Sequence, residues 1–335
     1  MVIASVPRLM PEVDTEFRSD QQIATDFLVY LQSEVSETII YDVEPTPLTG
    51  GMDARLYRYK LMGEDSKVLR LLPPNREAKE LQYHQLVHKT LKKYGVNTPE
   101  IYNVCSDRSM LGGVFAIMEL LPGHGLFSEP PEIHRTVLAQ SMAKMHELDV
   151  RPIVDEFRRV GVPDDVFLSP AVLEKNLNSI VNNSPWSTEV VGWLRRRLPL
   201  AGQNLSVIHG DYHGNNLMFE NGSITGVLDW GFCIADPALD LAHMMNDYLF
   251  FLRQIVKDLP LEFVQQFVDG MLKAYQAIRP LNHERITAFR VLHLLSALAA
   301  GAAAVGPEFM RKPESQRDYL TFIEQTTGLK LSPTG

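Results

Sequence analysis

The chain has 335 residues, 45% of them hydrophobic, with a formal net charge of −9, enough for one large or two modest globular domains with a real core. This acidic balance, with a pI near 5.6, excludes a general affinity for nucleic acid, which needs clustered basic surface, and suits a cationic substrate. Two isolated cysteines, Cys105 and Cys233, outside any CxxC pattern, exclude a disulfide framework and a thiolate metal site and point to a reducing, cytoplasmic compartment.

Residues 1–20 mix Pro7, Pro11 and charged residues without periodicity and read as an irregular leader with no signal-peptide character. From Gln21 to Val35 the positions Ile23, Phe27, Leu28 and Leu31 recur at helical spacing, with Asp20 as the N-cap. Val43–Leu48, Ala54–Leu61 and Lys67–Leu72 read as strands, separated by Gly50-Gly51 and Gly63-Glu64-Asp65. Pro73-Pro74 ends the third strand, and Asn75 caps a long helix from Arg76 to Lys93 that Gly95 closes. Two more strands follow at Ile101–Val104 and Val114–Glu119.

After Leu120-Leu121-Pro122-Gly123 helical patterns dominate: Ile133–Leu148, Ala171–Val181, Thr188–Leu198, Leu241–Asp258, Leu261–Ala277 and Glu284–Val305. The most apolar run, Val291–Gly306, is interrupted by His293 and Ser296 and is too short to span a bilayer comfortably, so it reads as a buried helix and no membrane association is expected. Strands are expected at Ser206–His209, Leu217–Phe219 and Ser223–Asp229, the last two joined at Asn221-Gly222, a strong hairpin signal. The division is a leader over 1–20, an α+β lobe over 21–121 with a small antiparallel sheet and one long helix, and a larger, mainly helical lobe over 122–335. Such a pair of lobes, with a polar loop and hairpin at their junction, predicts a cleft.

The densest polar stretch is Val207-Ile208-His209-Gly210-Asp211-Tyr212-His213-Gly214-Asn215-Asn216-Leu217-Met218, followed by Gly226-Val227-Leu228-Asp229-Trp230. Transfer of a phosphoryl group needs a carboxylate to orient and deprotonate the attacking hydroxyl, and oxygen ligands for magnesium on the phosphates. Asp211, Asn216 and Asp229 supply that set. No GxxxxGK[ST] loop exists, and Gly123-His124-Gly125 does not extend into GxGxxG, so neither a P-loop enzyme nor a dinucleotide-binding unit is supported.

These segments resemble the HGDxxxxN and DW motifs of the aminoglycoside phosphotransferase and choline kinase families, relatives of protein kinases. Asp236-Pro237-Ala238-Leu239-Asp240-Leu241-Ala242 is similar to their DPxxDLA segment. The resemblance implies a protein-kinase-like two-lobed fold, ATP and Mg2+ as cofactors, Asp211 as catalytic base, and Asn216 and Asp229 as metal ligands. It also implies a buried, loop-fixing His209 and an Asp240 that caps its helix or braces the catalytic loop. His213, four residues from His209, has the spacing of a helical zinc pair, but Gly210 and the loop context argue against one.

The first lobe carries the parts that the resemblance implies for a nucleotide. Gly50 and Gly51 lie between two strands, where backbone amides can approach phosphates, though Asp53-Ala54 replaces the Ser-Asn pair that often follows. Val68, Arg70 and Leu72 share one strand face, which puts Arg70 where kinases carry the phosphate-binding lysine. Glu77 is its expected partner, with Glu80 as rival. Phe115–Gly123 resembles the hinge that binds adenine through its main chain, at Met118, Glu119 and Leu121.

The resulting expectation is an ATP- and Mg-dependent phosphotransferase acting on a hydroxyl of a small molecule that is aminoglycoside-, macrolide-, choline- or sugar-like. Asp155, Glu156, Asp164, Asp165, Asp247 and Asp258 are acidic candidates for a cationic acceptor, and Leu249, Phe250 and Phe251 for an apolar one; both sets read equally as solvated surface and core. A nucleotide-binding pseudokinase acting through a partner, and a metal-dependent hydrolase using the same His and Asp residues, are the competing classes.

Overall fold

The structure is a computed structural model that describes residues 17–48, 54–169, 171–198, 204–256, 259–302 and 312–332. The described residues fall into two compact units, one within Glu12–Gly123 together with Thr225–Leu228, the other within His124–Ile224 and Asp229–Gly335. The expected leader up to residue 16 and the Gly50-Gly51 loop lie outside the described residues.

The first unit is built on an antiparallel sheet of β1 (Tyr41–Leu48), β2 (Arg55–Leu61), β3 (Lys67–Leu71), β4 (Ile101–Cys105) and β5 (Phe115–Glu119), in the order β1-β2-β3-β5-β4. Alternation along the strands divides the apolar residues between two faces. Tyr57, Tyr59, Leu69, Leu71, Phe115 and Ile117 pack against Ile23, Phe27, Tyr30 and Leu31 of α1 (Asp20–Glu34). Val68, Leu72, Ala116 and Met118 pack with Leu81 of α2 (Ala78–Lys93). Arg70 therefore shares the α2 face with Val68, paired across to Leu56 and Ala116.

Two helix starts differ from expectation. Ser19, not Asp20, caps α1, its hydroxyl accepting from Gln22 N–H at 3.2 Å. Asp20 instead accepts from the Tyr57 hydroxyl at 2.7 Å, tying the helix to β2. Helix α2 begins at Ala78 rather than Arg76, with Glu77 at the N-cap, because the chain after Pro73 first makes a turn closed by the Arg76 N–H on the Pro73 carbonyl at 3.0 Å.

In the second unit a two-stranded ribbon, β7 (Ser206–Ile208) with β10 (Cys233–Ala235), pairs Ile208 with Cys233. A small sheet in the order β6-β8-β9 contains β6 (His124–Gly125), β8 (Leu217–Glu220) and β9 (Ser223–Val227). Asn221 and Gly222 both take positive φ, 52° and 81°, the mirror-image turn that two-residue hairpins need. The helices are α4 (Pro131–His146), α5 (Arg151–Arg159), α7 (Ala171–Asn183), α8 (Thr188–Arg197), α9 (Ala238–Asn246), α11 (Leu261–Gln276), α12 (His283–Ala302) and Pro313–Thr327; α3, α6 and α10 are one-turn helices at Arg108–Leu111, Asp164–Phe167 and Leu252–Ile255.

The helix expected over Leu241–Asp258 runs without interruption as far as Ile255 but changes pitch on the way. Helix α9 ends at Asn246, Asp247–Phe251 form a π-helical turn, and α10 follows. Three successive apolar residues, Leu249-Phe250-Phe251, cannot all face one side of a 3.6-residue helix. The widened turn lets Phe250 and Phe251 both meet Tyr319, at 5.8 and 5.7 Å between ring centroids, so their core reading holds.

Candidate active site

Strand β7 delivers the chain into the polar loop, and Gly231 N–H donates to the His209 carbonyl at 3.0 Å where the loop leaves the ribbon. His209 is fully buried, with its ring 4.7 Å from that of Trp230. Its Nδ1 accepts from Asp211 N–H at 3.1 Å, which assigns the proton to Nε2. His209 and the 3% exposed Trp230 are thus packing and loop-fixing residues.

Asp240, in the first turn of α9, is fully buried and braces the same loop. Its Oδ2 accepts from His209 N–H at 2.9 Å and its Oδ1 from Gly210 N–H at 2.8 Å, while His146 Nε2 lies 3.1 Å from Oδ2. Burial alone would raise this carboxyl; the hydrogen bond and charge of His146, with His209, outweigh it and hold Asp240 below the ordinary value. On the other side of the loop His243 Nδ1 lies 3.1 Å from the Gly210 carbonyl.

So anchored, the loop presents Asp211 half-exposed. Asn216 donates through Nδ2 to the Asp211 carbonyl at 2.9 Å and to its Oδ2 at 3.2 Å, which leaves the Asn216 Oδ1 as an oxygen donor. His213 Nε2 stands 3.5 Å from the same Asp211 oxygen, and its Nδ1 accepts from Asn215 N–H at 3.2 Å. Burial pushes the Asp211 carboxyl up, but His213, then His209 and His243, hold it below the usual carboxylate range. A carboxylate kept ionised and aimed by an amide is suited to receive a hydrogen bond from a hydroxyl.

Asp229 is exposed and has φ of 53°, one of two described non-glycine residues with positive φ. A strained backbone held at a polar loop is a common mark of a functional site. Asn216 and Asp229 each carry a side-chain oxygen, the donor type that fits magnesium, an ion that takes one or two protein oxygens and completes its shell with phosphate and water. His209 and His213 each accept a backbone N–H through Nδ1, from Asp211 and Asn215 respectively.

In the first unit, Arg70 lies close enough to His84 of α2 that its charge is, after burial, the largest influence pushing that imidazole down to about 3. The Glu77 carboxylate lies 2.5 Å from Lys79 Nζ, and that of Glu80 accepts from Arg76 Nε. Met118 is buried, and Glu119 N–H donates to the Glu100 carbonyl at 2.8 Å. No described backbone carbonyl accepts the Leu121 N–H.

Sequence reasoning did not select His213, His146 or Tyr275 as site residues. His213 was visible as the polar residue two positions after Asp211; His146 and Tyr275, on α4 and α11, carry no local motif. Of the acidic candidates, Asp164 pairs with Arg158 at 2.7 Å, Glu156 with Arg159 at 2.6 Å and Asp165 with Lys175 at 4.0 Å, as surface residues do. Asp247 is half-buried, and its carboxyl is raised well above the ordinary value by burial and then by the charge of Asp211. Asp258 lies outside the described residues.

A small antiparallel sheet unit with a long helix, a mainly helical unit, and an Asp/Asn loop braced by a buried aspartate define a protein-kinase-like phosphotransferase of the small-molecule kinase class. The chain belongs to the APH phosphotransferase enzyme family, whose sequence model matches residues 44–281. Solved structures share the fold. A Ralstonia eutropha protein assigned as an aminoglycoside phosphotransferase is 18% identical with a TM-score of 0.62, over 91% of this chain and 97% of that one. The macrolide 2'-phosphotransferase MphH of Brachybacterium faecium is 17% identical, with a TM-score of 0.55, over 89% and 98%. Aminoglycoside phosphotransferase APH(4)-Ia, in a ternary complex with AMP-PNP and hygromycin B, is 15% identical with a TM-score of 0.57, over 91% and 98%.

Among curated proteins the chain is 28% identical to mouse acyl-CoA dehydrogenase family member 10, over 57% of this chain and 19% of that protein. It is 25% identical to the homoserine kinase of Polaromonas naphthalenivorans, over 54% and 56%. The chain thus matches about a fifth of the first relative and somewhat over half of the second.

Proposed function

We propose that the protein transfers the γ-phosphate of ATP, as its Mg2+ complex, to a hydroxyl of a small molecule. The observation that carries this reading is the hydrogen bond from Asn216 Nδ2 to the Asp211 carboxylate, which restrains the base and leaves Asn216 Oδ1 without a role in that contact. Magnesium, when bound, would supply positive charge against the phosphates. Asp211 accepts the proton of the acceptor hydroxyl and holds its oxygen in line for attack. Asn216 and Asp229 would hold the metal, and, by the family resemblance, Arg70 would contact phosphate and the main chain at Glu119 and Leu121, next to Met118, would contact adenine. Catalysis arises from alignment and charge rather than from a covalent enzyme intermediate. Complexes of similar proteins with AMP-PNP, ADP or GDP support nucleotide use by this chain. The two cysteines, both free, and the ATP requirement favour the cytoplasm.

The acceptor is identified by incubating the protein with Mg·ATP and a panel of amino-sugars, macrolides, choline, sugars and hydroxy acids including homoserine, then reading by mass spectrometry which compound gains one phosphate. The reading expects at least one phosphorylated alcohol, formed only when magnesium is present. ATP consumption matched by free phosphate alone, across a broad panel, would count against transfer to an alcohol.

A further inference from the structure

Within the second unit a cavity of about 740 Å3 is lined by Tyr275, Arg279, Asn282, Arg285, Asp236 and Glu147, among others, a volume in the range of small-molecule sites. Its chemistry is that of an oxyanion receptor. Arg279 donates through Nη1 to the His146 carbonyl and sits against the Tyr275 hydroxyl, and no carboxylate among the described residues lies within ion-pair distance of it. Asp236 is already satisfied: its Oδ1 takes Ala238 N–H at 2.8 Å and its Oδ2 takes Arg285 Nε at 2.5 Å. Arg285 Nη2 is left buried without an acceptor, an arrangement that costs free energy until an acceptor arrives. Asn282 uses its Oδ1 on Arg285 N–H at 3.1 Å to cap α12, so what it offers the cavity mouth is its NH2. Glu147 is exposed and stays hydrated. Two guanidinium-bearing side chains in the lining of one cavity match the charge of a carboxylate or phosphate.

The same wall is linked to the catalytic loop. The Tyr275 hydroxyl lies 2.8 Å from His146 Nδ1, His146 Nε2 lies 3.1 Å from Asp240, and Asp240 holds the His209 and Gly210 amides. We propose that this cavity is an effector site for a small organic molecule bearing a carboxylate or phosphate group, held by Arg279 and Arg285, whose binding tightens the loop that carries Asp211. The role given to the loop rests on the phosphotransferase reading; the binding itself does not.

Malonate and inorganic phosphate are the probes, titrated calorimetrically into the full chain without nucleotide, for the parent and for Asn282→Asp, Arg279→Gln and Asp211→Asn. Asn282→Asp keeps the cap oxygen and adds a negative charge at the mouth, so it remains informative where Arg279→Gln fails to fold. Saturable binding is expected in the parent and in Asp211→Asn, weakened roughly tenfold or more in Asn282→Asp and Arg279→Gln, and the tighter of the two anions names the head group. Hydrogen exchange at residues 209–211 is expected to slow several-fold with the anion bound, a readout that needs no turnover. No saturable binding of either anion, or equal affinity in Asn282→Asp, overturns the site. Binding with unchanged exchange at 209–211 overturns the relay.

Discussion

Asp211 and Asn216 are five residues apart in the chain and one hydrogen bond apart in space, because the turn Gly214–Asn216 folds the amide back onto the carboxylate. Asn216→Ala removes the restraint on Asp211 and, in the proposed mechanism, an oxygen for the metal. It is expected to raise the magnesium concentration needed for half-maximal rate and to lower kcat by about a hundredfold, read from initial rates across a magnesium series. Gly214 is required for a different reason: a Cβ there would stand 2.5 Å from His134 Nε2, whose own position is fixed by the Tyr248 hydroxyl at 2.8 Å. Gly214→Ala should therefore cost about 1–3 kcal/mol, measurable as a lower urea midpoint. The five-residue spacing of Asp211 and Asn216 made their pairing legible in the sequence. The brace was only half legible: Asp240 lies in a recognisable segment, whereas its partner His146 sits 94 residues away on a helix whose apolar pattern says nothing of it.

At the scale of elements, the sheet of the first unit was readable because its strands alternate and end at Gly, Pro or charged turns, and Arg70 landed on the face that the period of two assigns it. Strand β10, three consecutive buried residues, has no alternation to detect, and Pro313–Thr327 buries only Tyr319 and Ile323 among its apolar residues, whereas α5 has Ile153, Val154 and Phe157 on one face, a helical pattern visible in the sequence but not among the expected helices. The π-helical turn at Asp247–Phe251 escaped because Leu249-Phe250-Phe251 is as apolar as a helix would be. Two helices carry a pH dependence. Burial, and then the neighbouring charges of Arg70, His88 and Arg76, push His84 of α2 down to about 3; burial, and then His213, push His134 of α4 to about 4. Both stay neutral in the folded chain while the unfolded chain takes up protons near pH 6.5, so the unfolded state binds more protons as pH falls. Stability is expected to be full above that pH and to fall by about 5 kcal/mol between pH 6.5 and 4, roughly half from each histidine, with about half that fall for His84→Asn, in urea titrations at each pH.

For the whole molecule, the fold class followed from the element order and the loop motif together, and the family match over residues 44–281 agrees with both. The acceptor was not legible. Acidic side chains chosen for a cationic substrate prove to pair with surface arginines or lysine at Glu156, Asp164 and Asp165, and composition cannot separate those from a binding residue. No helix among the described residues is long and apolar enough to cross a membrane. Nucleotide binding that is specific to the folded state should raise stability by about 2.7 kcal/mol at a hundredfold excess over Kd, seen as a higher Tm with Mg·ATP than with magnesium alone.

The central claim is that Asp211 is the base of a magnesium-dependent transfer of phosphate from ATP. Its most direct test measures phosphate transfer from Mg·ATP to the acceptor found in the panel, for the parent and for Asp211→Asn, alongside the Tm of each. The account predicts a loss of roughly a thousandfold or more in kcat with a Tm within a few degrees of the parent. Transfer by Asp211→Asn at the parental rate would contradict it.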